Sequence, residues 1–265
     1  MRYFRIFVLH FQQAFENRGR SFIWLLLAVI NPLLVLSYWI GVYHSQNGGI
    51  AGWALSSVTS YYFLLMFAGS FLIAHVEYDV AVHDIQEGGL VKYLLKPFSY
   101  FWYYFLGELP WRMIQGLFSL TILFIFSLFL GKFVQLVSTP ELILAAIIIS
   151  LLGFILSFIF KMILGFTAFW LTDFHGVQSI FEIIILVFAG FVMPLEFYPA
   201  LIEGIAKVLP FAYMVYYPVI ALQGKLDLVS LLQVVGMQLV WIFAFLAVYK
   251  LMWSKGVRSF TGVGQ

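Results

Sequence analysis

Four carboxylates (Glu77, Asp79, Asp84 and Glu87), one histidine (His83) and two lysines (Lys92 and Lys96) fall within EYDVAVHDIQEGGLVKYLLKPFSY, residues 77–100. Carboxylates packed this densely can exchange protons, hold a divalent cation, or present charge to a partner surface. The first two uses need side chains that converge. His75, Glu77 and Asp79 alternate along the chain, and on a helix that alternation splays them around the axis, away from any common metal. The other histidines, His10, His44, His83 and His175, form no H-E-x-x-H pair, and the chain has no G-x-S-x-G elbow. Cysteine is absent, which removes thiolate nucleophiles, thiolate metal sites and disulfides. Gly131-Lys132 and Gly224-Lys225 lack the upstream glycine and the following serine or threonine of a phosphate loop. Presenting charge to a partner is the use that this pattern supports, and it makes 77–100 a docking element.

A membrane positions that element. Of the 265 residues 63% are hydrophobic and 10% charged, and the mean hydropathy is +1.01, far from the balance of a soluble domain. Uninterrupted apolar runs predict six membrane helices at 21–43, 55–76, 101–130, 141–171, 177–193 and 228–252. Residues 1–265 then form one transmembrane domain of all-α class. The first run is too long for the core of a cleaved signal peptide and reads as a retained span. Arg2, Arg5, Arg18, Arg20, Lys92, Lys96, Lys250, Lys255 and Arg258 fall on one side, against Lys132, Lys207 and Lys225 on the other; Arg112 and Lys161 lie inside spans. That bias places both termini and the 77–100 loop in the cytoplasm of a multi-pass protein of the cell membrane. The net charge of +2 follows from the topology and calls for no nucleic-acid partner.

The remaining polar and proline signals mark elements around this frame. In the cytoplasmic segment 1–20, Phe4, Phe7, Val8, Phe11 and Phe15 recur at helical spacing, which predicts an amphipathic helix in the membrane interface. Asn31-Pro32 interrupts the first span and is a hinge or an ordinary kink. In the loop, Asp79 is the expected N-cap of a short helix ending at Gly88 and Gly89. A second short helix runs from about Leu90 to Pro97, and the aromatics from Phe98 to Tyr104 form a belt at the membrane surface. Glu108 and Arg112, four apart, are expected to neutralise each other. Segment 194–226 is too apolar for a solvated loop, yet Pro194, Pro199, Pro210 and Pro218 break it. Glu203 and Lys207 pair on its central helix, and the whole reads as a re-entrant or external lid. Lys161 and Glu182 lie within spans and are part of a translocation path or gate, or a buried structural pair, or, for Lys161, a snorkelling side chain. Asp173 and His175 occupy the short turn between the fourth and fifth spans.

Asp84, Ile85, Glu87, Gly88, Leu90, Leu94, Leu95 and Pro97 resemble the cytoplasmic coupling segment of type 2 ATP-binding-cassette (ABC) transporter permease subunits. The stretch AGFVMPLEFYPALIEGIAKVLPF, with Gly190, Pro194, Pro199, Leu209 and Pro210, is similar to that family's external helices before the last span. The resemblance covers nearly the whole chain. It implies a dimer, homo- or heteromeric, of six-span permeases on two cytoplasmic ATPase subunits that bind ATP and magnesium, with no cofactor or metal on this chain and no catalysis by it. It also implies that Val82, His83, Asp84, Ile85, Gln86, Glu87 and Gly88 contact the ATPase; Asp173 and His175 are either a second contact with it or a solvated turn. The expected activity is export of an amphiphile such as a drug, lipid or glycan. Two other classes fit the composition: a six-span half of an ion-gradient-driven secondary transporter, which would show paired broken helices in repeats, and a membrane scaffold or intramembrane enzyme with a convergent polar site.

Overall fold

A computed structural model describes residues 2–16, 18–45, 50–130 and 135–260. Helices dominate, and among the described residues the only bridge between extended segments joins Ile50 to Trp53. The long helices are α2 (Arg18–Ser45), α3 (Leu55–Phe71), α5 (Tyr100–Leu130), α6 (Pro140–Phe166) and α11 (Leu228–Ser259). Shorter ones are α1 (Arg2–Glu16), α4 (Val91–Leu94), α7 (Phe174–Phe188), α8 (Ala200–Val208), α9 (Pro210–Met214) and α10 (Tyr216–Leu222). A π-helix spans Asp79–Gln86. Three stretches, Tyr100–Leu128, Pro140–Phe169 and Leu228–Ser259, are long and apolar enough to cross a bilayer, and Val29–His44, Leu55–Phe71 and Phe174–Phe188 are shorter apolar helices. All six coincide in order with the apolar runs of the sequence. Lys132 lies outside the described residues.

The core is α6, whose small and β-branched residues let neighbours approach on several sides. At Gly153 an added Cβ would sit 2.9 Å from the Met214 carbonyl, and at Gly165 it would sit 2.7 Å from Val80. Helices α9 and α10 therefore press on one level of α6 and the π-helix on another. Pro32 lies inside α2 without ending it, so the expected interruption is absorbed within one helix. Helix α3 stops at Phe71, five residues before its predicted end; α7 starts earlier than expected, behind the Asp173 cap, and ends earlier, ahead of Gly190 in a left-handed conformation (φ +86°).

Helix α1 lies along α5. His10 and Ala14 face inward, whereas Phe4, expected in the apolar stripe, is 70% exposed. Phe7 stacks on Phe11 at 6.0 Å, and the side chain of Phe15 lies outside the described part. Gly107 creates the inward site, since a Cβ there would meet His10 Nε2 at 3.1 Å. Burial lowers the pKa of His10, which keeps the ring neutral against α5.

Candidate coupling surface

The chain leaves α3 through an irregular stretch at 72–76 whose backbone groups are met by side chains of α5 and α6. Arg112 donates to the carbonyls of Ser70 (3.1 Å) and Ile73 (2.9 Å). The N–H of Ala74 bonds Ser157 Oγ at 3.0 Å, and that of His75 bonds Glu108 Oε1 at 2.9 Å. Glu108 and Arg112 pair at 2.8 Å, as their spacing predicts. Buried backbone outside a helix needs partners of this kind.

Lys161 completes the junction. Its ammonium bonds Glu77 Oε1, and both side chains are almost fully buried. Glu182, its expected partner, is exposed on α7 and accepts only from Gln178, at 3.1 Å, among the described bonds. The two ionisable groups are not brought together, because Lys161 faces the end of α3 whereas Glu182 faces away from the bundle. Glu77 is the partner that the sequence reading missed, and no spacing marks it, since it lies 84 positions from Lys161.

Beyond Glu77 the π-helix packs Val80 against Gly165 and is closed by two glycines with different tasks. Gly88 adopts φ +79°, and a Cβ on Gly89 would sit 2.4 Å from the carbonyl of His83. Asp79 is not its N-cap. Tyr78 holds that position in helical conformation with no side-chain cap, because the chain is already helical at 77–78, and Asp79 instead lies 3.9 Å from His83.

Asp84 is an internal anchor. It is 1% exposed and accepts hydroxyl bonds from Tyr100 (2.7 Å) and Tyr104 (2.5 Å), with Lys92 Nζ 3.5 Å away. Burial pushes its pKa up, while the two hydroxyls and Lys92 pull it back. Ile85 is buried beside it. Of the aromatics expected as a surface belt Trp102 is exposed, whereas Tyr100, Tyr103 and Tyr104 join a packed cluster under the loop. Tyr93 meets Tyr103 at 4.8 Å, Tyr100 stacks on Trp253 of α11 at 4.7 Å, and His10 of α1 meets Tyr103 at 5.3 Å.

What remains outward is a charged and apolar surface. His83 bonds Glu87 at 2.9 Å, and Asp79, His83 and Glu87 are all exposed. Val82 and Gln86 are half-buried, and Gly88 lies at the rim. Next to them Leu94 and Leu95, the latter 81% exposed, project from the end of α4 beside Lys92 and Lys96. The turn before α7 joins the same surface: Gln86 donates to the Thr172 carbonyl at 2.9 Å, and His175 meets Tyr78 at 5.7 Å. Asp173 caps α7 by accepting the Gly176 N–H at 3.1 Å. Among the described residues no three His, Asp or Glu side chains converge on a metal position.

The family described as "ABC-2 family transporter protein" matches residues 29–264. The chain belongs to the ABC-2 transporter family. As an ABC-2 member it is a multi-pass membrane protein on the transport side of an ATP-binding-cassette system, not its catalytic part, and the family implies partnership with ATPase subunits. No curated protein and no solved structure matches it.

At the far end of this ABC-2 protein the proline-rich segment is folded, not loose. Pro194 and Pro199 precede the turn Leu195–Phe197 and α8, and Pro210 opens α9, where a missing N–H costs nothing. Glu203 and Lys207 pair at 2.6 Å on α8. Residues 210–216 are buried, and Gln238 of α11 donates to the carbonyls of Ile149 and Tyr213, each at 2.9 Å. Tyrosines hold the rest: Tyr61 donates to Gly190 O and Tyr62 to Val192 O, both at 2.7 Å. Lys225 lies over the ring of Trp53. An apolar cavity of about 290 Å³ opens between α3, α5 and α6, beside Phe71, Gly116 and Leu151.

Proposed function

We propose that this chain is the membrane-spanning permease half of an ATP-driven exporter of amphiphiles, with six spans, both termini cytoplasmic, and segment 194–226 as its external or re-entrant lid. The observation that carries the reading is the contrast within loop 77–100. Asp84 and Tyr93 hold the loop to α5, Val80 packs it on α6, and Tyr100 carries the contact on to Trp253 of α11, while Asp79, His83, Glu87, Leu94 and Leu95 face outward with no partner in the chain's own fold beyond their neighbours. A buried, bonded base under an exposed surface of mixed charge and apolar groups suits a force-transmitting contact with another subunit.

In this reading an ATPase on a separate polypeptide, with ATP and magnesium, seats on Val82–Gly88 and α4, with Asp173 and His175 at its edge. Closure of the ATPase pair pushes the π-helix. The push reaches α6 through Val80 on Gly165 and Glu77 on Lys161, and reaches α3 and α5 through the bonds of Arg112 to Ser70 and Ile73 and of Glu108 to His75, tilting those helices relative to α11. Asp84 acts as a positioning residue, since its carboxylate is consumed by Tyr100 and Tyr104. The test is purification from the native host in mild detergent. A stoichiometric ATPase is expected with the wild type, and the double variant Asp79→Lys/Glu87→Lys is expected to fold normally while losing ATP-dependent transport. Wild-type protein that purifies intact without any ATPase, or a charge-reversed variant that transports normally, overturns the reading.

A further inference from the structure

Lys225 is held differently from the lysines described above. Lys92, Lys161 and Lys207 each pair with a carboxylate, whereas Lys225 makes no ion pair among the described residues and lays its ammonium over the ring of Trp53. The residue as a whole is exposed, in the turn after α10, so water is open to this side chain and it lies on the ring instead. Desolvation there lowers its pKa to about 8, against the opposing pull of the Glu196 charge.

The place that Lys225 occupies is built without it. Trp53 is fixed by its own backbone, whose N–H bonds Ile50 O at 2.9 Å and whose carbonyl accepts from Tyr43 at 2.7 Å. Its ring meets Tyr61 at 5.7 Å and Phe197 at 5.8 Å, at 83° and 79°, and Tyr61 meets Tyr216 at 6.3 Å. The turn before α3, α3 itself, the turn Leu195–Phe197 and α10 thus each supply a wall. Glu196 borders the rings. Tyr216 donates to its Oε1, while its Oε2 is shut away from water with no hydrogen-bond partner among the described residues. A carboxylate oxygen sheltered without a donor calls for a cation, and Lys225 answers it only at a distance.

We infer that this corner of aromatic rings with Glu196 is a binding site for an organic ammonium group, that of an amine-bearing or quaternary-ammonium amphiphile, and that Lys225 is its internal occupant. Ring faces attract a desolvated cation, and they are the means by which proteins hold choline-like groups; the adjacent carboxylate supplies the countercharge. A lysine puts a primary ammonium in the same position on a flexible tether, so it stands in for the ligand. Entry of the ligand needs only that Lys225 swing into the water it already borders. The same Glu196 charge repels a sulfate- or phosphate-headed amphiphile. The site stands on its own geometry; that its ligand is the transported amphiphile rests on the permease reading above.

Equilibrium dialysis of labelled tetramethylammonium against the purified full-length protein in a neutral detergent tests the site. An occupant that fills it about nine-tenths of the time masks its affinity about tenfold, so Lys225→Ala is expected to bind about tenfold more tightly than wild type. Adding Glu196→Gln, which keeps an acceptor for Tyr216, is expected to remove that gain without a fall in Tm, and adding Trp53→Leu is expected to remove it too. A Lys225→Ala variant that binds no better than wild type, as a merely structural lysine would give, overturns the site. So does a gain that survives both added substitutions. The cargo is tested in inside-out vesicles from the native host, where ATP-dependent uptake of an alkyl trimethylammonium should exceed that of a neutral alkyl glycoside of equal chain length, and Glu196→Gln should abolish the difference. Uptake that ignores the ammonium, or a preference untouched by Glu196→Gln, overturns the cargo and leaves the permease reading standing. Absence of ATP-dependent uptake of either compound, in protein that also purifies without an ATPase, overturns both.

Discussion

The two ends of this protein solve one problem with different chemistry. At the loop end, the backbone between α3 and the π-helix is held by charged groups: Arg112, Glu108, Glu77, Lys161 and, further on, Asp84. At the far end, an equally irregular backbone is held mostly by neutral ones, the hydroxyls of Tyr61, Tyr62 and Tyr213 and the amides of Gln223 and Gln238, with the Tyr216–Glu196 bond the charged exception among these. A buried neutral bond is a modest net gain that is lost singly. A buried ion pair is nearly neutral when whole and very costly when halved. The loop end is therefore brittle to single substitutions and the far end tolerant of them.

The sharpest way to break that contrast is to halve a pair. Lys161→Met leaves Glu77 charged, buried and alone, and is expected to cost about 3–5 kcal/mol. It should appear as loss of monodisperse protein or a large fall in Tm, and Glu77→Leu/Lys161→Met together should recover most of the loss. Equal damage from the single and double variants would show that the pair does not act as a unit. Next comes Asp84. Replacing it by Leu strands two buried hydroxyls at about 1–3 kcal/mol each, whereas Asp84→Asn keeps an acceptor and should lose little by thermal unfolding.

Acidity sharpens the same point. The folded pKa of Asp84 lies above its ordinary value, so folding favours its neutral form. Its contribution to stability is full below the ordinary aspartate range and is lost as pH rises through the raised pKa. The difference in Tm between wild type and Asp84→Asn should therefore change across that window and be flat on either side. Smaller effects belong to the far end. Tyr61→Phe removes one neutral bond to Gly190 and should cost about 1 kcal/mol, while Glu203→Ala on the half-exposed α8 pair should cost about 0.5 kcal/mol or less.

The architecture was largely legible because it is written locally. Apolar length placed the helices, proline marked the starts of α8 and α9, and Gly88 and Gly89 closed the loop helix as their conformations demand. The pairs Glu108–Arg112 and Glu203–Lys207, four residues apart, were also readable. What escaped depends on distant parts of the chain. Glu77 and Lys161 are 84 positions apart, and nothing in the spacing selects Glu77 over Glu182. Asp84 looked like a surface charge because its neighbours in sequence are charged, and its burial is imposed by two tyrosines of the following helix. Similarly, the phenylalanine stripe of α1 described an isolated helix at an interface, whereas the docked helix turns toward the notch at Gly107.

The stacking of Trp253 on Tyr100 has a consequence for how the protein is made. The aromatic cluster beneath the loop draws on His10 near the start of the chain, Tyr93 to Tyr104 in its first half, and Trp253 near its end. A ribosome moving at about 5–20 residues per second delivers Trp253 roughly 8–30 s after Tyr100. Until then the loop lacks one wall of its footing. Helix α11 thus finishes a surface encoded far upstream, so a chain cut short before Trp253 would carry the full loop sequence yet leave the loop without that wall.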